Sequence, residues 1–225
     1  MTAFAPLAPG FDHTFRKGRL TVGLVCPIEA YIFEDLPTLD RHLDRAKLAE
    51  DLGFSALWLR DVPFHVPSFG DVGQMLDPFV YLGALAVQTQ TITLGVASVI
   101  LPLRHPAHVA KSVATVDQLS GGRCVLGIAS GDRPEEYPAL NMDYDSRGAR
   151  FRDSVDYIRA CFGDWPTADL AQGTLNGRMD MLPKPFAGTV PMLITGGSQQ
   201  SADWAATHGD GWITYPRNDQ AQAQM

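Results

Sequence analysis

Along the first 130 residues, short apolar runs alternate with longer stretches of helical periodicity. Residues 20–26, Leu-Thr-Val-Gly-Leu-Val-Cys, read as a buried strand. A helix over about residues 39–52 follows, with Leu39, Leu43, Ala46 and Leu48 among charged positions, and Gly53 ends it. A second apolar run, Ala56-Leu57-Trp58-Leu59, comes next. After a Gly/Pro-rich loop at residues 62–77, a helix over about residues 78–88 leads into the run at 92–100. Another helix, roughly residues 107–119, stops at Gly121-Gly122 and feeds the run at 124–129. Strands alternating with helices force parallel pairing and right-handed crossovers, which leaves an open doubly wound sheet or a (β/α) barrel.

Past Ser130 the rhythm loosens. A polar loop, a helix near residues 149–162 and a Gly/Pro-punctuated stretch predict an excursion over the barrel mouth at about residues 131–189. The alternation resumes with a strand at 191–195, a helix near 201–206 and a strand at 211–214. About six strands result, whereas a closed barrel has eight and typically takes ~250 residues. The expected fold is therefore α/β, an incomplete parallel TIM-type barrel: one domain at residues 20–225, preceded by an extension at 1–19. Its open parallel edges need a cover, such as a partner subunit.

The chain has 225 residues and a formal net charge of −7, with one short basic cluster at Arg16, Lys17 and Arg19. That balance argues against a nucleic-acid partner, whose phosphates need clustered cations. Cys26 and Cys124 lie in apolar runs where thiols pack as small hydrophobes, and with Cys161 they make an odd total that suits a reducing compartment. The first fifteen residues lack the charged start and apolar stretch of a signal peptide, and no apolar run approaches the ~20 residues of a membrane span. A cytoplasmic location without membrane contact is expected. His105 and His108 have no third ligand at metal-site spacing, so no metal is expected, and no G-x-S-x-G nucleophile motif occurs.

Three segments carry candidate chemistry. Thr195-Gly196-Gly197-Ser198-Gln199-Gln200-Ser201 stands between a strand and a helix. Its glycines let backbone approach a ligand, and its free N–H groups with the Ser198 and Ser201 hydroxyls suit a phosphate; equally, Ser198 caps the helix and the glycines make the turn. Gly127-Ile128-Ala129-Ser130-Gly131-Asp132-Arg133 ends the fourth strand, on the side where barrels place active sites, and reads either as a ligand wall with Ser130 as polar contact or as a plain strand-to-loop passage. Ala97 and Ser98 are small residues near the end of the third strand, where a flat ring would fit against backbone.

Together these residues resemble a family. Leu119-Ser120-Gly121-Gly122-Arg123 before Val125-Leu126-Gly127-Ile128-Ala129-Ser130-Gly131, then Gly196-Gly197-Ser198 with Ala202-Asp203-Trp204-Ala205-Ala206, is similar to the flavin-dependent luciferase-like monooxygenases. Val99-Ile100-Leu101-Pro102 with His105-Pro106, and Arg147 followed by Arg150-Phe151, extend the match. The resemblance implies a barrel that binds reduced FMN at its C-terminal mouth, the ring beside a non-proline cis peptide mapping to Ala97–Ser98. The phosphate would map to Ser198 and Ser201 of the Gly196-Gly197 loop, with Ser130 nearby. It further implies FMN supplied by a separate flavin reductase, transfer of one oxygen atom from O₂ to a small organic substrate, and a homodimer.

Two departures qualify that picture. Light-emitting members carry a histidine pair after the second strand, where this chain has Arg60-Asp61-Val62-Pro63-Phe64, so light emission is not expected. Asp61, at a strand's C-terminal end, becomes the candidate catalytic acid/base by position, against the reading of a salt-bridged Asp. Relatives also continue past the strand that ends near Thr214. The alternatives are thus a deazaflavin-dependent hydride-transfer enzyme on the same fold, or a shortened, non-catalytic flavin-binding protein. Phe64, Phe69 and Met75 near the mouth suggest an organic substrate.

Overall fold

In the computed structural model, residues 6–29, 36–69 and 76–224 are described. Met75 lies outside them. Six strands, β1 (Gly23–Val25), β2 (Ala56–Leu59), β3 (Thr93–Ile100), β4 (Cys124–Ala129), β7 (Met192–Thr195) and β8 (Gly211–Ile213), pair in parallel in the order β1-β2-β3-β4-β7-β8. This is the expected incomplete (β/α) barrel: six parallel strands curl into a half-barrel with helices on the outer face.

The long helices lie close to where periodicity put them. α3 (Pro78–Gln88) has Asp77 as its cap, whose carboxylate accepts from the amides of Phe79 at 3.0 Å and Val80 at 3.1 Å. α4 (Pro106–Ser120) ends on Gly121 in the left-handed region. α2 (His42–Asp51) starts later than its apolar pattern suggested, because Leu39 and Arg41 both have positive φ and cannot continue a right-handed helix. The Glu29 carboxylate holds the turn before it, accepting from the amides of Thr38 at 2.9 Å and Leu39 at 3.0 Å. β1 is shorter than its apolar run, since it is an edge strand and Leu20 and Val22 are exposed.

The core lies between strands and helices. Leu57, Leu94, Val96, Leu126, Ile128, Met192 and Ile194 form one buried cluster with Leu82 and Leu85 of α3, Val109 and Val113 of α4, and Phe151, Val155 and Ile158 of α6 (Arg147–Phe162). Each such side chain contributes about 1.5–3 kcal/mol on burial. Arg123 staples the N-terminal end of the strands: its guanidinium donates to the carbonyls of Ala86 at 3.0 Å, Thr89 at 2.9 Å, Ile92 at 2.6 Å and Ser120 at 2.8 Å. The carbonyls of Ala86, Thr89 and Ser120 are ones that the ends of α3 and α4 leave without intrahelical partners, and that of Ile92 lies just before β3.

Several elements have no counterpart in the periodicity. α1 (Pro9–Thr14) packs under the strands, with the Gly10 amide donating to the Gly122 carbonyl at 3.0 Å and the Thr93 hydroxyl donating to the Gly10 carbonyl at 2.9 Å. A six-residue helix owes its stability to such contacts rather than to propensity, so no pattern announces it. α5 (Glu136–Ala139) is a single turn, and β5 (Thr167–Leu170) with β6 (Gly173–Asn176) makes an antiparallel hairpin within the 131–189 segment. α7 (Ala202–His208) and α8 (Asp219–Ala223) complete the order. Among the described residues, no helix is long and apolar enough to cross a membrane.

Glu50 links α2 to the start of β3. Burial raises its pKa, but the amides of Thr91 at 2.6 Å, Ile92 at 3.0 Å and Gln90 at 2.8 Å, with Lys47, outweigh that and bring it from 4.5 to about 2. A depressed folded-state value means that Glu50 contributes stability above pH 4.5, lost as the pH falls toward about 2. Glu50→Gln is expected to cost about 1–2 kcal/mol at neutral pH and to flatten this part of the acid-unfolding curve, measured by urea denaturation across that pH range.

Candidate functional site

A cavity of about 270 Å³ opens at the C-terminal ends of β2, β3, β4 and β7. Asp61, Ala97, Ser98, Ser130, Gly196, Gly197 and Ser198 all line it. Segments separated by more than a hundred residues are therefore brought together as the strand order requires.

The wall formed by β3 is irregular. Val96 pairs with Leu126 and Val99 with Ile128, so β3 carries one residue more than β4 across this step. The extra residue falls at Ala97–Ser98, whose peptide is cis. Gly127 lies opposite, and a Cβ there would collide with the Val96 carbonyl oxygen, so the bulge needs glycine at this point. The Ser98 hydroxyl bonds the Thr195 hydroxyl, which ties the bulge to β7. On the β4 side, Ser130 is buried and its carbonyl accepts from the hydroxyl of the fully buried Tyr137.

The loop after β7 turns back on itself. Gly196, Ser198 and Gln199 have positive φ, the Gly196 amide donates to Ile213 at 2.9 Å, and the Gln200 amide donates to Gly197 at 2.7 Å. The Ser198 hydroxyl donates to the Thr195 carbonyl at 2.7 Å. Successive amides of Gly197, Ser198 and Gln199 donate to no acceptor among the described residues, and all three residues line the cavity. A run of free N–H groups in left-handed backbone makes a concavity for an anion. α6 steadies it: the Gln200 side chain donates to the Gly148 carbonyl at 2.9 Å and accepts from Arg152 at 2.9 Å.

Two expected residues are placed otherwise. Ser201 caps α7, its hydroxyl oxygen accepting from the Trp204 amide at 3.2 Å, and it does not line the cavity. Asp61 borders the cavity, but its carboxylate is taken up by Arg104, through Nε at 2.9 Å and NH2 at 2.7 Å, and by the Ile100 amide at 3.2 Å. Arg104 also reaches Asp77, the cap of α3, at 3.0 Å. This carboxylate ties the end of β3 to Arg104 and, through it, to the cap of α3, which is the salt-bridged reading of Asp61.

The residue that sequence reasoning missed is Glu136. Its side chain is 2 % exposed and lines the cavity, 3.6 Å from the Arg133 guanidinium. Burial is the largest cause that pushes its carboxyl up, from 4.5 to about 7; Arg133 opposes, while Asp61 and Asp132 add to the rise. In a polar stretch beside Glu135 it had no pattern to mark it as buried. Arg133 also lies over the Phe69 ring at 4.9 Å.

The profile of one protein family, described as luciferase-like monooxygenase, matches residues 18–225. The chain belongs to the luciferase-like monooxygenase family. An uncharacterized protein of Mycobacterium tuberculosis is 32% identical to this luciferase-like chain over 192 residues, covering 77% of the chain and 67% of the relative. The alkanal monooxygenase alpha chain of Photorhabdus luminescens is 26% identical over 185 residues, covering 80% and 49%. Among solved structures, an F420-dependent secondary alcohol dehydrogenase in complex with an F420-acetone adduct superposes with a TM-score of 0.71 at 26% identity, covering 86% of this chain and 57% of that one. The luciferase-like chain thus spans between about half and two thirds of these relatives, and the family includes both flavin-dependent and F420-dependent oxidoreductases.

The cap geometry makes Ser201 separable from the cavity. Ser201→Ala is expected to cost about 1 kcal/mol, a fall in Tm of roughly 2–4 °C, while ligand affinity at the cavity stays within twofold of wild type. Thermal unfolding and ligand titration of the same sample check both parts.

Proposed function

We propose that the chain is a flavin-dependent oxidoreductase, a monooxygenase that uses reduced FMN and O₂ on a small organic substrate. The observation that carries this reading is the set of free amides at Gly197, Ser198 and Gln199, facing the same cavity as the bulge at Ala97–Ser98. The donor set fits a phosphate monoester, because the N–H groups meet an anion with no carboxylate in the loop itself, and the Ser198 hydroxyl would join them by turning its proton from the Thr195 carbonyl to the phosphate. Ala97, Ala129 and Gly131 keep the remaining wall low enough for a flat ring.

When bound, the flavin supplies the electron transfer and the reaction with O₂. The chain's own residues hold and orient it. Ser98 and Thr195 lock the bulge, Tyr137 fixes the Ser130 carbonyl, and the Asp61–Arg104 pair sets the loop after β3. Phe64 and Phe69, both partly exposed near the mouth, give an organic substrate an apolar approach. A separate flavin reductase, a homodimer and a cytoplasmic setting belong to the same reading.

A deazaflavin with hydride transfer is the second reading, favoured by the F420-dependent structure at 26% identity. Titrating the protein with FMN, riboflavin and F420, followed by fluorescence, separates the two. The expected result is FMN binding that weakens about ten- to a hundredfold for riboflavin, which lacks the phosphate, and about tenfold for FMN with Ser198→Gly. Preferential F420 binding transfers the assignment to the second reading. Folded protein that binds none of the three, or that binds riboflavin as tightly as FMN, overturns the site.

A further inference from the structure

We propose that Glu136 is the acid–base group of this cavity, a carboxyl that exchanges a proton with an oxygen atom of the substrate held there. The ligand in this statement rests on the flavin-site reading; the protonation of Glu136 does not.

The placement comes first. Glu136 opens α5, directly after the β4 loop, and its side chain is buried yet forms part of the cavity wall. Among the described residues Oε1 has no hydrogen-bond partner, and the contact to Arg133 NH1, at 3.6 Å, is longer than a hydrogen bond. A buried carboxylate with an unsatisfied oxygen is costly, whereas a protonated carboxyl, or one meeting a bound ligand, removes that cost. Asp61 has both oxygens committed, so of the two buried carboxyls on the cavity wall, Glu136 is the one with an atom to offer.

The surroundings set its proton affinity. From its own loop come Arg133, which favours the carboxylate, and Asp132, which opposes it. From the segment after β2 come Asp61, whose charge is shared with Arg104, and the Phe64 amide, which weakly favours the carboxylate. Arg60 lines the same cavity. Burial outweighs Arg133 and holds the carboxyl protonated up to about pH 7, where both protonation states are accessible and acid–base transfer is most efficient. In the acid direction, the Oε1–H bond breaks, the proton passes to the substrate oxygen, and the electron pair stays on a carboxylate facing Arg133. The proton is regained from solvent at the end of the cycle.

Infrared difference spectra of the whole protein, titrated from about pH 5 to about pH 9, read the carboxyl directly. The expected result is a protonated-carboxyl band that disappears with a midpoint near pH 7, is absent in Glu136→Gln and moves to lower pH in Asp132→Asn, where a like charge is removed. FMN affinity should change severalfold more between about pH 6 and about pH 8 in wild type than in Glu136→Gln, where only the flavin phosphate still titrates. A wild-type midpoint near 4.5, or FMN affinity with the same pH dependence in both proteins, overturns Glu136 and leaves the flavin site standing. The band titrating near pH 7 in protein that binds no flavin supports the buried acid and removes the flavin reading instead. Should Glu136→Gln fail to fold, the shift caused by Asp132→Asn, a change at an exposed residue, decides the matter alone.

Discussion

The pairing of β3 with β4 is the constraint on which the remainder rests. These are the two longest strands of the sheet, and their ladder loses register by one residue between Val96 and Val99. Because side chains alternate faces with period two, an extra residue reverses which face the following positions occupy. That reversal brings Ser98 to the cavity and to Thr195, while Val99 stays in the core. Gly127 is the counterpart that makes it sterically possible. The cavity is thus a consequence of how two buried strands fit, with polar groups added at their ends.

Buried charge holds the surrounding loops. Arg104 joins Asp61 at the end of β2 to Asp77 at the start of α3, and Arg123 satisfies carbonyls at the opposite end of the strands. Each cation spans elements distant in sequence, and removing Arg123 would leave several buried carbonyls unpaired at about 1–3 kcal/mol apiece. The same economy explains the contrast between two acidic residues on one cavity wall. Asp61 has both oxygens bonded; Glu136 keeps an oxygen without a partner among the described residues and a raised proton affinity.

The inner face of the half-barrel is a second environment. A cavity of about 770 Å³, lined by Phe11, Phe15, Val25, Trp58, Leu193 and Trp212 among others, lies on the concave side of the sheet, whose edges are β1 and β8. The Trp58 indole occupies the space over Gly95, where any Cβ would strike the ring. This face is apolar, unlike the cavity at the strand ends, which is lined by charged and hydroxyl groups. The two therefore differ in the chemistry they admit, although Ala97 borders both.

By itself the sequence determined the alternation of six apolar runs with helices, the incomplete barrel and, through the motifs around Gly127 and Gly196, the end of the sheet that carries the site. Those features are local, since period and turn chemistry are written in neighbouring residues. The tertiary structure alone decided which hydroxyls and carboxylates face the cavity. Ser198 and Ser201 stand three apart with the same chemistry, yet one enters the cavity and the other caps a helix. Asp61 had two readings until Arg104, forty-three residues on, was brought against it, and Glu136 lay unmarked in a polar loop that the fold buries at the strand ends. A side chain's proton affinity and its available lone pairs depend on burial and on partners from distant segments, and no local pattern encodes either one.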